Sequence, residues 1–184
     1  MTRLGAVVLL VLAVVGFGAY VFQTEPTWYQ RLRYPLRYEE IVVGHAKNYR
    51  LEPALLAAVI YQESKFDADA RSSSGAVGLM QLLPETGQGI ADRTGGREWK
   101  PADLLTPELN IRCGAWYLRH LLDKYDDEEL ALAAYNAGQA NVDRWRARGV
   151  EIQFPETRHY VERVQQLKLI YAGAYTAELS VGAR

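Results

Sequence analysis

The chain has 184 residues, which suits one domain of ordinary size plus an appendage. Its formal net charge of −1 gives no basic footprint and argues against nucleic acid as a partner. The single cysteine, Cys113, cannot make an internal disulfide, so the fold must stand on packing, and no cysteine follows the apolar N-terminus to carry a lipid.

Leu4 to Phe22 is an uncharged run of 19 residues rich in Val, Leu, Ala and Gly. As a helix it would reach ~28 Å, close to the hydrocarbon thickness of a bilayer. One reading is a cleaved signal peptide, with Gly16 and Gly18 as small residues before the cut. The other, which we favour, is a retained transmembrane anchor over residues 1–22, because the run exceeds an ordinary signal core and Phe17 spoils a cut after Ala19. Arg3 lies on one side of the run and Arg31, Arg33 and Arg37 on the other, so the positive-inside rule alone pulls the following domain inward. Residues 23–35, with Pro26 and Pro35, read as a linker.

From Leu36 the signals are helical. Ile41, Val42, Ala46 and Tyr49 share a face. Pro53 opens a second helix carrying Leu55, Leu56, Val59 and Ile60, which should end between Glu63 and Phe66. A polar, glycine-containing stretch from Asp67 to Gly78 follows, and Pro84 starts a short helix. Thr94 to Lys100 reads as a loop. Thr106-Pro107-Glu108 combines a cap hydroxyl, a first-turn proline and a first-turn acid, and predicts a helix to about Tyr125. Asp126 or Asp127 should cap the next, which stops at Gly138, and a last helix should run from Glu156 to Ala177. No stretch alternates with period two. The expectation is an all-α domain over 36–177 with seven or eight helices, and a short tail over 178–184.

Glu63 is the most informative residue. It follows the apolar run Leu55 to Tyr61 and sits near a helix C-terminus. Apolar surroundings and the carbonyl end of a helix both disfavour the carboxylate, so its pKa should rise above the ordinary ~4.3. A carboxyl still protonated near neutral pH can donate to a glycosidic oxygen. Local sequence alone favours a solvated glutamate at a helix end over a catalytic one.

The wider pattern is more specific. Gln62-Glu63-Ser64-Lys65-Phe66 is followed by Ser72, then Gly75-Ala76-Val77-Gly78-Leu79-Met80-Gln81, then Ala134-Tyr135-Asn136-Ala137-Gly138, then Pro155-Glu156-Thr157-Arg158 and Tyr160-Val161. Four ordered motifs over about Ile41 to Tyr171 resemble the catalytic domain of the soluble lytic transglycosylase family, related to goose-type lysozyme.

The resemblance implies a lysozyme-like, all-α transglycosylase domain behind one N-terminal transmembrane helix. It implies a bacterial cell-wall enzyme acting on peptidoglycan glycan strands at the MurNAc–GlcNAc β-1,4 bond. Residue by residue, it casts Glu63 as the single catalytic acid and base. Ser72 would lie near the scissile sugar. Met80 and Gln81 would line the groove, although Met80 reads equally as core. Tyr135 and Asn136 would face the glutamate, although Asn136 also reads as a helix cap before Gly138. Glu156 is the acid of the last motif. Gln139 stands where the family commonly has Pro, and Gly87 where it commonly has Ala.

The resemblance also implies how one carboxyl suffices. The substrate's N-acetyl group attacks the anomeric carbon, and the sugar's own 6-hydroxyl replaces water. The product is a 1,6-anhydro-muramyl end. No cofactor or metal is called for, and His45, His120 and His159 lack ligand spacing. The substrate would place the domain outside the cytoplasmic membrane, against the charge count. A lysozyme-like hydrolase would need a second carboxylate, for which Asp69 and Glu85 are the candidates, with Asp67 a further nearby acid in the same polar turn. A non-catalytic peptidoglycan-binding module would have little reason to keep Glu63, Gln81 and Tyr135 together. An anchored helical protein with no role on glycans fits the motifs least.

Overall fold

The computed structural model describes residues 3–96 and 98–180. The chain divides into two compact units, Met1–Pro35 and Leu36–Arg184.

The first unit holds helices α1 (Arg3–Thr24) and α2 (Thr27–Arg33). The Thr24 hydroxyl bonds back to the Tyr20 carbonyl at 2.8 Å, and Glu25 turns the chain with a positive φ of 38°. The rings of Phe17 and Trp28 stack with centroids 6.4 Å apart. Leu10, Val14 and Phe22 are exposed. Among the described residues no helix is long and apolar enough to cross a membrane. The segment expected as a linker contains α2. Pro26 stands at its N-cap with φ −57°, and a proline there presets the turn without losing a needed donor.

The second unit carries α3 (Glu39–Asn48), α4 (Pro53–Ser64), α5 (Pro84–Thr94), a 3-10 turn (Pro101–Leu105), α6 (Pro107–Tyr125), α7 (Glu128–Ala137), α8 (Gln139–Ala147) and α9 (Pro155–Ala174). No strand occurs among the described residues, only isolated bridges joining Val77 to Arg71 and to Leu82. Proline opens α4, α5, α6 and α9. Lys65, Gly95 and Asp126 close α4, α5 and α6 in the left-handed conformation. The Asp127 carboxylate accepts the Leu130 N–H at 2.9 Å and caps α7.

Helix α4 is buried continuously from Pro53 to Ile60, and a helix apolar around its whole circumference belongs at the centre of a domain. Helix α9 lies along it and buries Tyr160, Val164, Leu167 and Tyr171 at helical spacing. Helix α7 packs on α6 and α9, while α3 packs on α4 and α6. Each fully buried Leu or Ile here, such as Leu56, Ile60, Leu118 and Leu167, stabilises by roughly 1.5–3 kcal/mol relative to exposure.

The sequence expectations need three corrections. The chain after Gly138 forms helix α8, held by buried Val142 and Trp145, where no helix was expected. Gly138 is its N-cap, so the usual Ser or Asp start signal is missing. The last helix ends at Ala174, three residues short of Ala177, and continues as turns. Thr106 stands at the N-cap of α6, but its hydroxyl makes no capping bond there.

Candidate active site

The site is assembled where the C-terminus of α4 meets the loop between α4 and α5. Lys65 and Phe66 both have positive φ, 54° and 63°, which turns the chain sharply after Glu63. Phe66 is fully buried and meets Tyr171 edge-on at 6.2 Å. The Ser64 hydroxyl bonds the Leu79 carbonyl at 2.8 Å, tying the loop to the end of α4.

The loop has a second, deeper anchor in Asn110 of α6, which is 1% exposed. Its Oδ1 accepts the Met80 N–H at 2.7 Å. Its Nδ2 donates to the carbonyls of Val77 at 2.9 Å and Leu104 at 2.8 Å. Gly78 makes room for this: with φ +78°, a Cβ there would lie 2.4 Å from both Asn110 Nδ2 and the Leu104 oxygen. A buried amide satisfied in this way fixes one loop conformation.

Glu63 faces the resulting groove, half-buried. Burial disfavours the charged form and pushes its pKa from the ordinary 4.5 up to about 7, against the opposing pull of the Tyr160 hydroxyl. That hydroxyl donates to Glu63 Oε1 at 2.6 Å. Tyr135, at the end of α7, does not bond the glutamate. Its hydroxyl donates to the Met80 carbonyl at 2.9 Å. Its own pKa is raised well above the usual range, first by burial and then by the nearby Glu63 charge.

A groove of about 370 Å³ opens on Glu63, and Ser72, Gln81, Tyr117, Tyr135 and Asn136 contribute to its walls. Ser72 Oγ accepts the Ala76 N–H at 2.9 Å and pairs with Ser74 Oγ at 2.8 Å. Gln81 has a positive φ of 45°, a strained setting for a non-glycine residue, and its amide donates to the Gly78 and Ala70 carbonyls at 2.9 and 3.1 Å. Asn136 accepts from the Thr157 hydroxyl at 2.8 Å, so it braces α7 against α9, while Gly138 is the helix cap.

Two expected residues fall outside the groove. The Met80 side chain is fully buried and rests on Gly114, and only its main chain serves the site. Glu156 is exposed in the first turn of α9, where an acid complements the helix dipole. The residues of that last motif that reach the site are Thr157 and Tyr160. Tyr160 was missing from the expected set because its position in the apolar stripe of α9 is that of a core aromatic.

Glu63 is the one carboxyl among the described residues lining the groove. Asp67 and Asp69 are exposed, and the Asp67 carboxylate caps the Asp69 N–H at 3.0 Å in a surface turn. Glu85 lines a neighbouring cavity. Among the described residues no group of three or more His, Cys, Asp or Glu is placed to hold a metal. His45 pairs through Nε2 with Glu108 at 2.7 Å. A larger cavity, of about 810 Å³, lies against Trp99 and Arg112, yet the groove at Glu63 has the stronger chemical claim because it holds the acid with the raised pKa.

Residues 40–153 match the family model described as the Transglycosylase SLT domain. The chain is 34% identical over 154 residues to a putative soluble lytic murein transglycosylase of Haemophilus influenzae, covering 78% of this chain and 26% of that protein. It is 38% identical over 141 residues to the membrane-bound lytic murein transglycosylase F of Pseudomonas fluorescens, covering 71% and 26%. Its fold is similar to that of an inactive Glu-to-Gln variant of the lytic transglycosylase Slt from Pseudomonas aeruginosa, with TM-score 0.75, 34% identity, and 85% of this chain and 27% of that one covered. The chain thus spans about a quarter of the length of these relatives. By sequence and by fold, the chain belongs to the SLT transglycosylase domain family.

Proposed function

We propose that this protein is a peptidoglycan lytic transglycosylase that cleaves the MurNAc–GlcNAc β-1,4 bond and leaves 1,6-anhydro-MurNAc ends. The observation that carries the reading is a solitary carboxyl, Glu63, poised near pH 7 in a groove with no second carboxyl on its described walls. Most enzymes that hydrolyse glycosidic bonds use two carboxyls, one of them to activate water or to form a covalent intermediate.

Glu63 in its acid form donates a proton to the leaving glycosidic oxygen as the C–O bond breaks. The substrate's N-acetyl oxygen bonds the anomeric carbon and takes up the positive charge. Glu63, now a carboxylate, accepts the proton of the 6-hydroxyl as that oxygen displaces the acetamido oxygen. The acid is regenerated and no water is consumed. The tethered hydroxyl has the effective-concentration advantage of an intramolecular nucleophile. Tyr160 holds the carboxyl in place throughout. Ser72, Gln81 and Asn136 line the path of the sugars.

Mass spectrometry of peptidoglycan digested by the purified protein tests this. Anhydro-ended fragments, lighter by one water than hydrolysis products and without a reducing end, are the expected result. Mainly reducing-end products would defeat it and favour a lysozyme-like hydrolase.

The uncharged run Leu4 to Phe22 supports attachment to the cytoplasmic membrane, with the domain from Leu36 on the extracytoplasmic side where the substrate lies. A reporter fused after Arg184 decides the side, and a cytoplasmic signal would remove the enzyme from its substrate.

A further inference from the structure

Within the first unit, Glu25 and Pro26 turn the chain between α1 and α2, and the turn brings the Trp28 ring back onto Phe17. The two rings are parallel to within 5°, with centroids 6.4 Å apart. Phe17 lies two helical turns before Thr24, the last residue of α1, which is ~10 Å back along the helix axis. The Trp28 ring is therefore level with the apolar run rather than beyond its end. Both rings are exposed, as are Val14 and Tyr20 on α1 and Leu32 one turn after Trp28 on α2.

The polar groups of α2 are arranged around this apolar edge. Its sequence, Thr27-Trp28-Tyr29-Gln30-Arg31-Leu32-Arg33, holds two arginines and no acid. Trp28 and Leu32, four residues apart, share one stripe of the helix, with Arg31 on one flank and Tyr29 and Arg33 on the other. Arg31 and Arg33 are exposed, and Arg33 reaches the Tyr29 hydroxyl at 3.5 Å and Glu25 at 3.9 Å, surface contacts of little energetic weight. Three features favour a lipid surface over a protein as the occupant of this face. The face is continuous with the uncharged run Leu4 to Phe22. An indole suits the boundary between acyl chains and headgroups. Arginines beside it can extend their apolar stems along the same surface and place their charge on lipid phosphates.

We propose that α2 is an interfacial helix that docks on the bilayer surface, with Trp28 and Leu32 at the edge of the acyl chains and Arg31 and Arg33 on anionic phospholipid headgroups. The proposal rests on membrane attachment of the first unit and adds to it a lipid preference. The full chain is incorporated into vesicles of mixed phosphatidylcholine and phosphatidylglycerol. Flotation of the vesicles reads attachment. Quenching of tryptophan fluorescence by spin-labelled lipid, taken as the difference between wild type and Trp28→Phe, reads α2 apart from Trp99, Trp116 and Trp145. A label near the glycerol quenches Trp28 more than one at the chain end. Labelled phosphatidylglycerol quenches it roughly 2- to 5-fold more than labelled phosphatidylcholine, the scale of one basic residue at an anionic surface. Arg31→Gln together with Arg33→Gln removes that preference and leaves flotation unchanged. Equal quenching by the two lipids in wild type, a preference that survives the double substitution, or stronger quenching from the chain end overturns the proposal. Protein that floats while Trp28 is beyond the reach of every lipid label also overturns it, places the ring against protein and leaves attachment standing. Protein that fails to float removes the attachment reading and this proposal together.

Discussion

The hydroxyl of Tyr160 donates to Oε1 of Glu63 at 2.6 Å, joining two residues 97 positions apart in the chain. The bond exists because α9 lies along α4 and begins its buried stripe beside the last turn of that helix. It opposes the effect of burial on the carboxyl, which without it would sit still higher than about 7. Tyr160→Phe removes the oxygen and little volume. We expect kcat to fall roughly 10- to 100-fold, as for loss of a positioned hydrogen bond, and the alkaline limb of the pH–rate profile to move upward. A limb that stays in place would show that Tyr160 does not tune the acid.

Glu63→Gln should abolish cleavage and stabilise the fold above neutral pH. The sign follows from linkage. The folded carboxyl, at about 7, holds its proton more tightly than an unfolded one at 4.5, so stability declines as pH rises through this window. Glutamine has no proton to lose. The variant should exceed wild type by about 1–3 kcal/mol at pH 8, and the difference should vanish below pH 4. Denaturant midpoints at the two pH values measure it, and a constant difference would contradict the buried-acid picture.

Tyr135→Phe should act through the loop rather than on the acid. It leaves the Met80 carbonyl without its donor, so a stability loss of about 1–2 kcal/mol should accompany a roughly 10-fold drop in kcat. An unaltered unfolding midpoint with lost activity would instead place the phenol on the substrate.

Met80→Leu should be nearly silent. The side chain is fully buried on Gly114, and a volume-conserving exchange costs under about 1.5 kcal/mol. Its main-chain bonds to Asn110 and Tyr135 persist. A marked rise in KM on peptidoglycan would return the side chain to the groove.

Asn110→Ala should be among the most damaging substitutions away from the acid, since it strips two bonds from the loop that shapes the groove and a third from the Leu104 carbonyl of the 3-10 turn. A loss of about 3–5 kcal/mol is expected from the buried groups left unpaired. Thermal unfolding of the variant checks the figure.

The sequence by itself determined the all-α class and most helix starts, because these depend on local signals, and it singled out the candidate acid through four ordered motifs. Proline at the first helical position and glycine or aspartate after the last act over one or two turns of chain. Helix α8 escaped because it starts from glycine and is held by the burial of Val142 and Trp145, which is a tertiary matter. The same distinction separates the residues of the site. Glu63, Ser72, Gln81, Tyr135 and Asn136 lie in motifs dense enough to read, whereas Met80 and Glu156 lie in equally legible motifs and face elsewhere. Which phenol meets the carboxyl depends on how α9 is rotated against α4 and how Asn110 seats the loop beneath Tyr135. Spacing along one helix cannot encode a contact between side chains 97 residues apart, and only the packed structure decided it.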